Sequence, residues 1–161
     1  MNEVGPRSNG PLIEARGLNK NFGPIPALAG VDLELAGGQV IGLLGENGCG
    51  KTTLLKVLAG VMQDHAGRVR IAGRRLGPET KACVSFLPDA NYLKDSATVS
   101  QCIGMFSDFF SDFRADKASD MIKFFGLAEG MKLKQMSKGM REKAQIALAM
   151  SRDAKVFLLD E

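Results

Sequence analysis

Apolar and polar residues alternate along this chain with two different periods. Leu12–Leu18 (LIEARGL) and Val31–Ala36 (VDLELA) switch residue by residue, which predicts two half-buried strands. Gly37-Gly38 marks a turn, and Gln39–Leu44 (QVIGLL) is a short apolar run, the pattern of a strand covered on both faces. The period lengthens in TTLLKVLAG, where Leu54, Leu55, Leu58 and Ala59 form a helical stripe closed by Gly60. RVRIAG (68–73) and CVSFLP (83–88) return to strand character, with turns at Ala66-Gly67 and Gly77-Pro78. After Pro88, Val99, Ile103, Phe106 and Phe110, then Met121, Ile122 and Phe125, recur at helical spacing. MSKGMREKAQIALAMSR predicts a further helix capped by Ser137, and VFLLDE (156–161) a last strand.

Strands that alternate with helices predict an α/β fold with a mainly parallel sheet and a ligand site at the strands' carboxyl ends. The chain divides into a flexible tail (1–11), a core of strands (12–93), a helical subdomain (94–140) and a return to the core (141–161).

Composition narrows the class. The 161 residues suffice for a hydrophobic core, and 45% apolar and 24% charged residues are ordinary for a globular protein. The net charge of +3 is too small to argue for a nucleic-acid or lipid partner. There is no eighteen-residue apolar window, and MNEVGPRSNGP lacks the apolar stretch of a secretory signal. Cys49, Cys83 and Cys102 are odd in number and contain no CxxC pair, which argues against a disulfide framework or a zinc site and fits a reducing cytosol.

The chemistry concentrates in GENGCGKT, Gly45–Thr52, which fits G-x-x-x-x-G-K-[ST] between a predicted strand and a predicted helix. Gly45, Gly48 and Gly50 permit backbone angles that turn successive N–H groups of Glu46, Asn47 and Cys49 toward phosphate oxygens. Lys51 supplies a point charge for the outer phosphates, the Thr52 hydroxyl can ligate Mg²⁺, and Thr53 continues the first helical turn, whose dipole adds positive potential. Cys49 is either a reactive thiol near Lys51 or a small filler, and the filler reading is preferred. In VFLLDE, a buried strand would place Asp160 beside the loop to hold Mg²⁺, with Glu161 set to orient or deprotonate an attacking water.

With these motifs the chain resembles the ATP-binding-cassette family from about Leu12 to Glu161. MSKGM, Met136–Met140, is similar to that family's LSGGQ signature: Ser137 and Gly139 match, while Met136, Lys138 and Met140 depart from it. The LSKGM form looks like that of bacterial peptide-antibiotic-resistance exporters. The resemblance implies a P-loop NTPase sheet core with an inserted helical subdomain, ATP and Mg²⁺ as ligands, and a head-to-tail pair with a second ATPase subunit, in which Ser137 and Gly139 would cover the partner's ATP. It implies an integral membrane transporter subunit as a further partner, no nucleic acid, and a cytoplasmic location at the inner face of the membrane. It also assigns Phe22 to adenine stacking and places Asp89 where the family has a metal- and water-contacting Gln. Of Phe106, Phe109, Phe110 and Phe113, most should be lobe core, with one or two left for a partner's coupling helix. The chain ends before the family's later strand and switch histidine, so a truncated domain with uncertain turnover is expected. The alternatives are a soluble cassette ATPase acting on the ribosome or nucleic acid, and an inactive ATP-binding fragment.

Overall fold

A computed structural model describes residues 10–160. These fall into two compact units that divide between Thr80 and Lys81.

The first unit is built on a four-stranded antiparallel sheet in the order β2-β1-β3-β4, with β1 Ile13–Phe22, β2 Ile25–Leu35, β3 Ala66–Ile71 and the two-residue β4 Arg74–Arg75. Helix α1, Lys51–Leu58, belongs to the same unit. Two residues, Gly23 and Pro24, join β1 to β2, and a connection this short permits only antiparallel pairing. Ile13, Ala15, Leu18, Leu28, Val69 and Ile71 are buried on one side of the sheet. The register slips around Gly17, whose φ is 56° and whose N–H donates to Asp32 Oδ1 at 2.7 Å. A side chain at Gly67 would place its Cβ 2.3 Å from the Gly17 carbonyl oxygen, so β1 and β3 meet at two glycines.

The second unit holds a parallel pair, β5 Val84–Leu87 and β6 Val156–Leu159, in the register Val84↔Val156 to Leu87↔Leu159. Between them run α3 Val99–Phe109, α4 Ala115–Phe124, a 3-10 turn at Leu133–Gln135 and α5 Lys138–Met150. A short helix, α2 Pro78–Ala82, precedes β5. Thr98 caps α3 reciprocally: its Oγ1 accepts from Gln101 N–H, and Gln101 Oε1 accepts from Thr98 N–H. The lobe core gathers Val99, Ile103, Phe106, Ile122, Leu133, Met136 and Leu148. Phe110 and Phe113 each pack 5.5 Å from Phe106, whereas Phe109 points outward, 77% exposed.

Two expectations are corrected. The larger sheet is antiparallel, and only β5 and β6 pair in parallel, because only strands separated by a long crossover can do so. Gln39–Leu44 forms no strand: its backbone is irregular, and Val40 and Leu44 are almost wholly exposed. An apolar run becomes a buried strand only when neighbours supply ladders on both sides. The antiparallel sheet ends at β2 on one side and β4 on the other, and this segment joins neither.

Candidate functional site

Residues 45–50 loop ahead of α1, and Gly50 caps that helix in the left-handed conformation, at φ 96°. Two constraints make glycine necessary there. A Cβ would sit 2.3 Å from the Ala27 carbonyl oxygen and 3.3 Å from Leu28 Cδ2, and φ itself is one that L side chains rarely adopt. The loop is thereby held against β2. Gly48 is also left-handed, at φ 82°, with open space around it.

The Lys51 ammonium folds back across the loop and donates to the carbonyl oxygens of Gly45 at 2.8 Å and Glu46 at 2.9 Å. An ammonium has three protons, so two brace the loop and one remains for a ligand. The Glu46 carbonyl also accepts from Cys49 N–H at 3.3 Å. Asn47 is exposed at the turn, Thr52 is exposed and Thr53 half-buried in the first turn of α1. The first bond of the helix runs from Leu54 N–H to the Gly50 carbonyl at 2.8 Å, and the N–H groups ahead of it point toward the loop. Cys49 is an exposed free thiol that lies over Gly45: a Cβ on Gly45 would approach its sulfur to 2.7 Å.

Phe22 ends β1 directly opposite Ile25, two residues before the Ala27 that abuts Gly50. The ring is half exposed, with the Lys20 ammonium 5.0 Å from its centroid. Lys20 is itself buried and ion-paired to Asp64 at 2.9 Å. That hydrogen bond, with the Lys20 charge, holds the Asp64 carboxyl below the usual carboxylate range.

In the second unit the acidic residues follow the parallel strands. Asp160 is buried, and its N–H donates to the Leu87 carbonyl at 2.9 Å, which continues the β5–β6 ladder. Asp89 lies two residues past Leu87 and is exposed. Both carboxylates therefore stand at the carboxyl ends of adjacent strands. Glu161 lies outside the described residues. Among the described residues no cluster of three or more His, Cys, Asp or Glu side chains is built to hold a metal on its own.

Ser137 caps α5: its Oγ accepts from Met140 N–H at 3.3 Å, and Ser137, Lys138 and Gly139 are all exposed. Lys138, the departure from the family signature, reaches Glu142 at 3.6 Å along the helix. A groove of about 400 Å³ runs between this end of α5 and the segment after β5, lined by Asp89, Asn91, Lys138, Arg141, Glu142 and Gln145. Gln145 Nε2 donates to Asn91 Oδ1 at 3.1 Å, and Arg141 pairs with Asp95 at 3.0 Å, so the segment carrying Asp89 is tied to α5. Sequence reasoning named Asp89 and Lys138 but missed Asn91, Asp95, Arg141, Glu142 and Gln145. The available signal was a polar stripe at 138, 141, 142 and 145, one face of a helix.

It also missed Arg152, just past α5. Its buried guanidinium grips Asp112 through two hydrogen bonds of 3.0 and 3.1 Å. It also donates to the carbonyls of Val84 and Ala82, both at 2.8 Å, and lies 4.1 Å from the Phe110 ring centroid. One side chain thus ties the lobe to the head of β5.

Similarity to known proteins agrees with this geometry. The sequence profile of the family described as ABC transporter matches residues 28–161. The Fe(3+) ions import ATP-binding protein FbpC of Mesorhizobium japonicum is 31% identical over 159 residues, covering 93% of this chain and 44% of the relative. The taurine import ATP-binding protein TauB of Shigella flexneri is 34% identical over 158 residues, covering 93% and 60%. A solved ATP-binding subunit of an ABC transporter superposes with a TM-score of 0.83 at 25% identity, over 93% of this chain and 66% of that one. The chain thus spans less than two thirds of each of these proteins. No helix among the described residues is long and apolar enough to cross a membrane. A glycine-rich loop ahead of a helix, carboxylates at the ends of parallel strands and a helix capped by Ser137 occur here in a sequence matched by one profile over most of its length, and the chain belongs to the ABC transporter family.

Proposed function

We propose that this chain binds Mg-ATP on residues 45–53 and hydrolyses it as the nucleotide-binding subunit of an ABC transporter. It would act in a head-to-tail pair with a second ATPase subunit, docked on an integral membrane subunit at the cytoplasmic face. The observation that carries this reading is the Lys51 ammonium held by the Gly45 and Glu46 carbonyls, above a helix N-terminus whose approach requires glycine at position 50.

The residues present fit a triphosphate. The loop offers N–H donors and one uncommitted ammonium proton, and no carboxylate side chain in it takes an ion pair with Lys51. Phe22, at the hairpin end of β1, would stack its exposed face on the adenine. Mg²⁺, when bound, neutralises charge on the outer phosphates, and Thr52, Asp89 and Asp160 are the residues proposed to hold it. Glu161 would take the proton of the attacking water. Ser137 and Gly139 would present the N-terminus of α5 to the nucleotide of the partner ATPase subunit. Of Phe106, Phe109, Phe110 and Phe113, Phe109 is the one left exposed, as Phe124 is on α4, and it would meet the membrane subunit. The relatives carry different cargo in their names, iron(III) and taurine, which supports a shared ATPase whose cargo is chosen by the membrane partner.

Calorimetric titration of the chain with Mg-ATP tests the reading. Binding should weaken at least about tenfold in Lys51→Ala. Equal affinity in that variant would refute the assignment of the loop.

A further inference from the structure

The outer face of the antiparallel sheet is divided by charge. In one cross-strand row stand Glu34, Glu14, Arg70 and Arg75, in the strand order β2-β1-β3-β4, and in the next row Arg16 stands opposite Arg68. Glu14 lies across from Arg70, its natural cross-strand partner, yet its carboxylate turns to Arg16 on its own strand at 3.5 Å. Glu34 is ion-paired to Arg16 as well. Both carboxylates are therefore spent on one arginine. Among the described residues Arg68, Arg70 and Arg75 form no ion pair, and the Nε of Arg70 is enclosed without an acceptor there. Arg74, on the opposite side of β4, differs: it pairs with Glu79 at 2.7 Å.

The backbone beside Arg68 is open. Strand β4 covers the outer edge of β3 at Arg70 and Ile71, and among the described residues Ala66–Val69 have no ladder partner on that edge. The Arg68 and Arg70 positions are about 7 Å apart along the strand, and Arg70 and Arg75 about 5 Å across it. An added strand repeats its side chains on one face with that same period of about 7 Å.

We propose that this edge and face form a docking site for an extended acidic segment of a protein partner. The segment adds to β3 at Ala66–Val69 by main-chain hydrogen bonds and sets a carboxylate beside Arg68, within reach of Arg70 on the same strand and of Arg75 at the end of β4. Bidentate arginine–carboxylate pairing explains why the charges are guanidinia in a fixed array. Glu14 and Glu34 on the neighbouring half of the face disfavour a uniform polyanion, and the two rows that carry these charges pair charged residues only, with no apolar side chain to enter a lipid surface. The proposal does not depend on nucleotide binding.

The test uses the unaltered chain and a short fluorescein-labelled peptide alternating glutamate and threonine, followed by fluorescence anisotropy. The peptide should bind, weaken with added salt, and lose at least about tenfold in affinity in the triple variant Arg68→Gln/Arg70→Gln/Arg75→Gln. N-methylation of alternate peptide nitrogens should abolish binding, because it removes the ladder hydrogen bonds. Arg75→Gln alone, on the two-residue strand, should cost about threefold and serves if the triple variant does not fold. Equal affinity in Arg75→Gln, equal binding of a lysine–threonine peptide, or unimpaired binding of the N-methylated peptide would overturn the proposal. So would tighter binding of oligothymidylate or of phosphatidylserine vesicles in the same buffer.

Discussion

Gly50 and Ala27 are in contact through backbone alone: the position a Cβ would take on Gly50 is 2.3 Å from the Ala27 carbonyl oxygen. The loop's place on β2 therefore depends on a missing atom. Gly50→Ala should cost about 1–2 kcal/mol from its left-handed φ, and more because the strand or loop must shift to admit the methyl group. Gly48→Ala is the control. It also has positive φ but open space, so only the same conformational cost of about 1–2 kcal/mol applies. Thermal melts of the two variants should separate them, with Gly50→Ala the lower, and its ATP affinity should fall further. Equal melting temperatures would show that the contact with Ala27 is not tight.

Arg152 and Asp112 give a second contrast. Removing Asp112 leaves a buried guanidinium with only carbonyl acceptors, so Asp112→Ala should destabilise the chain by about 3 kcal/mol. Arg152→Met removes the charge, keeps much of the stem's packing on Phe110 and leaves Asp112 able to turn to water, since it is only partly buried. Its loss should be smaller, provided the Ala82 and Val84 carbonyls gain water. Urea unfolding of both single variants and the double variant measures this. A double variant no worse than Asp112→Ala would show that the pair acts as a unit.

What the sequence disclosed was local chemistry. Gly45–Thr52 was legible because each glycine, the lysine and the threonine answer a backbone or charge requirement within eight residues. Ser137 was legible because a cap needs only its own helix. The lobe core at Val99, Ile103, Phe106 and Ile122 followed from helical spacing. Failure came where the answer depended on distant residues. The pattern of Gln39–Leu44 states that the run is apolar but not which strands cover it. Arg152 looks like an ordinary charge after a helix, because its partners Asp112, Val84 and Ala82 lie 40 to 70 residues earlier. The antiparallel pairing of β1 with β2 rests on the two-residue Gly23-Pro24 link, which the strand–helix alternation does not register.

Ser137 separates a structural from a nucleotide-facing role. Its Oγ satisfies one orphan N–H of α5, so Ser137→Ala should cost about 1 kcal/mol of stability. Ser137→Asp keeps the cap and restores that stability, but places a carboxylate where the proposed function puts the partner subunit's phosphates. Chemical denaturation should therefore rank the aspartate variant near the parent, while ATP-driven pairing, followed by light scattering, should be lost in it. Pairing that survives Ser137→Asp would remove the signature helix from the nucleotide interface.

The Lys20–Asp64 pair should respond to acid in one direction only. Lys20 is buried and donates to Asp64 at 2.9 Å, which holds the Asp64 carboxyl below its ordinary value. A carboxyl with a lowered folded-state pKa binds its proton more readily in the unfolded chain. Its contribution is thus fully present above the unfolded value near ~3.9 and is lost as pH falls through the lower folded value. NMR titration of the Asp64 carboxyl carbon should give a midpoint below ~3.9, and Lys20→Met should return it to the ordinary range. The same substitution removes the cation 5.0 Å from the Phe22 ring, so the Phe22 ring resonances should shift in Lys20→Met at neutral pH, where Asp64 is ionised in both proteins. An Asp64 midpoint unchanged by Lys20→Met would mean that another group lowers it, and the buried ammonium would then have no carboxylate to account for its place in the sheet.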